Sequence, residues 1–398
     1  MHQRNKKLTK YLAQIDNKYT WIIPFLVGTL ACCTLVYAVW CGLGLTYDSH
    51  NYLSAARAIA EGRPMETQLG AKYVAQPPLF PAILSLWNGN LSFSKVFNIV
   101  CYAVTLILIW KLIDIVLCSF SYKVLACFYI FLSTPLLLVH SFLWSEPFFL
   151  VLIQLIIVTL YFHGETKSVY LFYALILLSL LLCAQRNAGV FIVSSIFLTF
   201  FLEESSFVNR IKIGIAFLTS SSGFFLWNLY GFSREGGGFL DAGYLQNVGG
   251  NILEYSSAIG VWFVPGTSSH YVVVAAGILS LWFVISIFFS SEPISPRLTF
   301  LRQLSTIPVV YVLGFVILGK PVASDAERFL AGIFPVYSVV VFQAIERMQI
   351  KGKKWLILPV AIILLYGLLR TGNNAKRWNE SNCENPISLS GNNFCMVP

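Results

Sequence analysis

Charge is what this chain has least of. Only 11% of its 398 residues are Asp, Glu, Lys or Arg, against about a quarter in soluble domains. No polar stretch is long enough for a large water-soluble domain, and no internal repeat or low-complexity linker is present. Other absences exclude whole function classes. No CxxC or Cys/His spacing suggests a structural zinc site. The run Arg234-Glu235-Gly236-Gly237-Gly238 has no strand before it and no GK[ST] after it, so it reads as a hinge and not as a phosphate-binding loop. No ribbon of basic and aromatic residues offers a nucleic-acid surface, which removes nucleic acid as a partner despite a net charge of +9. The first apolar run, residues 21–45, lacks a small-x-small cleavage site and follows twenty polar residues. It therefore reads as a retained span and not as a signal peptide.

What is present is apolar surface. Hydrophobic residues make up 57% of the chain and mean hydropathy is +0.72. An apolar run of about 18 residues spans a bilayer as a helix. By that rule the chain is an all-α polytopic membrane protein with about eleven transmembrane helices. They centre near residues 33, 107, 132, 154, 177, 195, 221, 281, 312, 337 and 362. Lys and Arg concentrate on cytoplasmic loops. Here they crowd the amino-terminal arm (Arg4, Lys6, Lys7, Lys10, Lys18) and the loop Arg347 to Lys354. The expected organisation is a cytoplasmic arm over 1–20, a transmembrane domain over 21–370 and a short extracytoplasmic tail over 371–398. External loops are expected at 46–95 and 231–270, with Trp262, Phe263 and Tyr271 resting on the interface.

Seven of nine cysteines, Cys41 among them, lie in or at the ends of apolar runs, where Cys packs as a small hydrophobe. Cys383 and Cys395 stand in the polar tail, on the face where disulfides persist. Their pairing is the expected disulfide.

Chemistry-bearing residues gather in the loops of the outer face. Asp48 follows the first span within Tyr47-Asp48-Ser49-His50-Asn51-Tyr52. A carboxylate at a membrane edge is costly to keep there, so it is a functional candidate, here a general base. The plain alternative is an N-cap for the amphipathic helix that follows, closed by Gly62. His50 and Glu66 share that loop; His50 assists, binds a metal or lies at the interface, and Glu66 is a second acid, a metal ligand or an exposed loop residue. Glu146 in Trp144-Ser145-Glu146-Pro147 either caps a helix or faces a polar cavity. Trp144 would be an interface anchor or a sugar-stacking platform. Arg186 and Arg328 are solitary cations on the same face. Each either snorkels to headgroups or grips a lipid phosphate through its planar fork.

The order of these pieces resembles the GT-C superfamily of polyprenyl-phosphate-sugar glycosyltransferases, especially protein O-mannosyltransferases and lipid A aminoarabinose transferases. The resemblance rests on Tyr47-Asp48…Tyr52…Ala56, Gln76-Pro77-Pro78-Leu79, Ser145-Glu146-Pro147, Arg186…Gly189 and Glu327-Arg328-Phe329…Pro335. It implies a glycosyltransferase taking a polyprenyl-phosphate-linked sugar to a lipid, polysaccharide or protein acceptor. Asp48 would be the base and Arg186 and Arg328 would meet the donor phosphate. His50, Tyr52, Glu66, Glu146 and Glu327 would be substrate-binding residues or a second acid. Many relatives carry a second acidic residue where this chain has Ser49, and a divalent metal stays an open cofactor. Several also carry a soluble carboxyl-terminal domain in place of the short tail. The compact form favours a bacterial cytoplasmic membrane. The alternatives are a flippase for lipid-linked glycans and a non-catalytic glycan-assembly subunit.

Overall fold

Apolar runs satisfy their backbone groups internally only as helices, and helix is what they form. The computed structural model describes residues 21–235, 248–266, 268–287, 296–318, 325–350 and 357–384. The chain opens with α1 (Ile22–Ala38), α2 (Tyr47–Ala60), α3 (Leu79–Ser85) and α4 (Leu91–Val116). Next come α5 (Phe120–Phe131), α6 (Thr134–Ser141), α7 (Glu146–Thr166), α8 (Val169–Gln185) and α9 (Gly189–Glu203). Then follow α10 (Phe207–Glu235), α11 (Val248–Gly260), α12 (His270–Ser286) and α13 (Pro296–Leu318). The last are α14 (Ala326–Leu330), α15 (Phe334–Ile350) and α16 (Ile357–Glu384). No strand forms among the described residues beyond two isolated bridges, Gly44–Phe142 and Glu66–Lys72.

The all-α membrane class is as expected. Among the described residues, four segments are long and apolar enough to cross a bilayer: Leu91–Val116, Phe120–Ser141, Glu146–Thr166 and Leu298–Leu318. Four shorter apolar helices, α1, α8, α9 and α12, accompany them. The segment centred near 132 is not one helix, because Ser133 and Pro135 break it between α5 and α6. The bundle core is continuous, running from Leu35 on α1 through Ile109, Ile153 and Leu182 to Tyr337 on α15.

The segment between α1 and α4 is built on its own small core. Helix α2 begins earlier than the amphipathic pattern from Tyr52 suggests, and Gly62 ends it in the left-handed conformation at φ +70°. Tyr52 meets Phe80 of α3 edge-on at 5.0 Å, and Leu53, Ala55, Ala56 and Leu84 fill the space around them. A backbone bridge then fastens this loop to the link between α6 and α7. Gly44 N–H donates to Ser141 O at 2.9 Å, and Leu143 N–H donates to Gly44 O at 2.9 Å. A Cβ at Gly44 would run into the Phe142 ring, so only glycine permits the approach. The bridge sets Asp48 beside Trp144-Ser145-Glu146.

Two expectations need correction. Trp262 does not rest on an interface; it is buried, 5.0 Å from Phe334 and 5.5 Å from Tyr337 between ring centroids. Cys383 does not pair with Cys395, which lies outside the described residues. It pairs with Cys41, with a Cα–Cα distance of 5.1 Å. The segment from 371 is helical through Glu384, so Cys383 rides on α16 and reaches back to the end of α1. Asn382 reinforces the junction by donating to Gly42 O at 3.2 Å and Ala38 O at 3.4 Å. Cys41 had the look of a small hydrophobe because it ends an apolar run, and connectivity across 342 residues leaves no local trace. Non-reducing peptide mapping should recover the 41–383 crosslink, and Cys395→Ser should leave it unchanged. A 383–395 crosslink would contradict this pairing.

The hinge Gly236-Gly237-Gly238 and the amino-terminal arm lie outside the described residues. Gly249 and Gly250, in the same expected loop, belong to α11.

Candidate functional site

Four ionised side chains from four distant parts of the chain meet at one end of the bundle. Their placement follows from helix ends. Thr46 precedes α2, and its backbone N–H donates to Ser49 Oγ at 2.9 Å. Ser49 thus serves the helix start, which leaves Asp48 in the first turn free to face elsewhere. The N-cap reading for Asp48 gives way to an ion pair: Arg328 Nη2 lies 2.9 Å from Asp48 Oδ2. Ser49 stands where the resemblance led one to expect a second acid, and its hydroxyl is committed to the start of α2.

Glu146 opens α7, yet Ser145 makes no side-chain cap bond there. The Glu146 carboxylate instead accepts from Arg328 Nε at 2.6 Å and pairs with Arg186 through the same oxygen. Arg186 is reached because α8 stops at Gln185 and the backbone turns extended. Gly189 then starts α9, where a Cβ would collide with the Leu182 carbonyl. Gln185 Nε2 donates to Ser145 O at 2.8 Å and Arg186 Nη1 donates to Ser145 Oγ at 3.1 Å. These bonds clamp the α8 end onto the α7 start. Tyr52 OH lies 3.2 Å from the same Ser145 hydroxyl.

Burial separates the members. The side chains of Glu146 and Arg328 are 3% and 7% exposed, whereas that of Asp48 is 29% exposed. Arg328 rests 4.0 Å above the Trp144 ring, a cation–π contact. Trp144 itself stacks on Phe142 at 4.5 Å and donates from its indole N–H to Thr46 Oγ1 at 2.8 Å. It is thus a platform for an arginine and not an open shelf for a sugar. Asp325 Oδ2 stands 3.9 Å from Arg328 Nη1. Burial opposes the charge on Arg328, but Glu146 and Asp48 outweigh it and hold its pKa above the ordinary value. Burial, with Asp48 and Glu146 nearby, raises the Tyr52 phenol. Burial also raises the Asp325 carboxyl.

The remaining candidates lie apart from this cluster. Glu66 is at the surface, 3.4 Å from Arg63. His50 shares α2 with Asp48, but its Nε2 has no hydrogen-bond partner; burial, then Arg57, lowers its pKa. Glu327 turns away from its neighbour Arg328 and pairs with Arg370 at 2.6 Å. Among the described residues no three His, Cys, Asp or Glu side chains group as metal ligands. Sequence reasoning saw in Ser145, inside the motif Ser145-Glu146-Pro147, no more than a possible helix cap, and it gave no role to Asp325, two residues before Glu327, or to Arg370. A lone Arg at the end of an apolar run was the only signal.

Fold and site together define a polytopic helical membrane protein with an ion-paired centre at one end of its bundle. No family model and no curated protein matches the sequence. Among solved structures it is similar to ArnT from Cupriavidus metallidurans bound to undecaprenyl phosphate, with a TM-score of 0.51 at 10% identity. The match covers 83% of this chain and 61% of that one, so this chain spans less than two thirds of its neighbour's length. The expected GT-C fold is thereby shown.

Proposed function

We propose that this protein is a glycosyltransferase of a bacterial cytoplasmic membrane. It moves a sugar from a polyprenyl-phosphate donor to an acceptor hydroxyl on the extracytoplasmic face. The observation that carries the reading is the convergence of Asp48, Glu146, Arg186 and Arg328 at one end of the bundle. The disulfide near the same outer loop supports an oxidising, extracytoplasmic setting for that end. The amino terminus is then cytoplasmic.

In the proposed step the acceptor oxygen bonds to the anomeric carbon while its proton passes to Asp48. The bond from that carbon to the phosphate oxygen breaks, and the electron pair leaves on the polyprenyl phosphate. Direct attack inverts the anomeric centre. Arg186 and Arg328 stabilise the developing phosphate charge, a task for preorganised cations. At rest Arg328 is engaged by carboxylates at Nε, Nη1 and Nη2. A phosphate must therefore displace one of them. Asp48 is the most exposed of the three carboxylates and Glu146 the least, so donor binding would release Asp48 for its work as a base. The step as written relies on the arginines and assigns no role to a metal.

The test is transfer itself. Membranes from cells lacking the protein are complemented with the wild type or with an empty vector, and lipid-linked sugars and surface glycans are read by mass spectrometry. A donor that accumulates without the protein, with one sugar missing from an acceptor, is the expected result. No change in any sugar would overturn the reading. A flippase would strand the donor on the cytoplasmic side, but these charges gather at one end of the bundle and do not line its midplane. Arg328→Lys keeps the charge and loses the fork. Losing one charge-assisted hydrogen bond, about 1.5–3 kcal/mol, should weaken undecaprenyl-phosphate binding roughly 10- to 100-fold in a titration.

A further inference from the structure

We propose that Arg370 is a positioning residue for Arg328, acting through Glu327; the inference rests on the phosphate-binding role just assigned to Arg328. Helix α14 has only five residues, far too few to hold its own shape. It must place Arg328 against Glu146 and Asp48 at 2.6 and 2.9 Å. Three contacts on its other sides fix it. Tyr311 OH donates to Phe329 O at 3.0 Å, and Phe329 stacks on Phe315 at 5.7 Å. The third is the ion pair from Glu327 Oε2 to Arg370 Nη2 at 2.6 Å.

Arg370 is well built for anchoring. Its Nη1 donates to Val261 O at 3.4 Å, and Tyr366 OH, one turn earlier on α16, donates to the same carbonyl at 3.3 Å. The helix beyond it is pinned three times more. Thr371 Oγ1 lies 3.2 Å from Thr134 Oγ1, Asn374 donates to Thr134 at 3.4 Å, and Cys383 is bonded to Cys41. A firmly held helix thus grips the carboxylate adjacent in sequence to the phosphate-facing arginine. The pair has a second consequence. It keeps Glu327 from becoming a further carboxylate competing for Arg328, which Glu146, Asp48 and Asp325 already surround.

The experiment compares the wild type with Arg370→Gln, Arg370→Lys and the double variant Glu327→Gln/Arg370→Gln, purified in lipid nanodiscs. Hydrogen exchange is followed without ligand, and undecaprenyl phosphate is then titrated. Arg370→Gln should speed exchange severalfold in the peptide around 326–333 while the rest of the bundle keeps its protection. It should weaken undecaprenyl phosphate about tenfold, equivalent to 1.4 kcal/mol. Lys should recover part of both effects. The double variant should be no worse than the single one, because the two charges act as one unit. Unchanged exchange at 326–333, or faster exchange everywhere, would overturn the inference. The exchange measurement needs no ligand, so it judges the coupling separately. A wild type that binds no undecaprenyl phosphate would instead remove the functional reading of Arg328.

Discussion

Asp48→Asn is expected to abolish sugar transfer while the protein folds and binds undecaprenyl phosphate at least as tightly as the wild type. Asn keeps the shape of the side chain and can still accept a hydrogen bond from Arg328, but it cannot take a proton at neutral pH. A positioned general base contributes about 10²- to 10⁴-fold to rate, and a loss of that size is the expected fall in turnover. The cost to the fold should be small by comparison. Asp48 is the most exposed carboxylate partner of Arg328, and the buried Glu146 carboxylate still pairs with both arginines when Asp48 is replaced. The same arithmetic predicts the binding result, since Arg328 has one competitor fewer for a phosphate. The check combines mass spectrometry of glycans from complemented cells with titration of purified protein. Full transfer by the variant would remove Asp48 as the base. Loss of folding and binding together would make it a structural anchor for α2.

Much of this was legible in the sequence, and the limits have physical causes. Lipid imposes an apolar composition on every spanning helix, so the membrane class shows in composition alone. Asp48, Glu146, Arg186 and Arg328 stood out one by one, because a charge at the end of an apolar run is conspicuous. Their convergence did not. Arg328 meets partners 182 and 280 residues away, and no local pattern encodes a contact of that range. Cys41 and Arg370 were passed over for the converse reason. Each ends an apolar run, where a small hydrophobe or a headgroup-facing cation is the ordinary occupant. Ser49 shows a subtler limit. It looked like a missing acid, and the structure gives it a helix-start hydrogen bond that a sequence motif does not reveal.

Glu146→Gln is the variant expected to damage the fold most, and its magnitude separates two readings of the residue. Were Glu146 only an N-terminal residue of α7, its replacement would cost about 0.5–2 kcal/mol, in the range of a lost cap. As the shared partner of two buried guanidiniums, its loss leaves Arg186 without a carboxylate and Arg328 with only Asp48 and the distant Asp325. Removing one partner of a buried ion pair costs about 3–5 kcal/mol, because the orphaned charge stays buried. Such a loss is a large part of the stability of an ordinary domain. Thermal unfolding in detergent should therefore show a fall well beyond that of Asp48→Asn. The variant should also regain more stability from added undecaprenyl phosphate than the wild type does, since a bound anion stabilises whichever folded state needs it most. A cap-sized loss without rescue by the lipid phosphate would return Glu146 to a purely local role. It would also remove Glu146 as the buried partner that holds both guanidiniums in place for a phosphate.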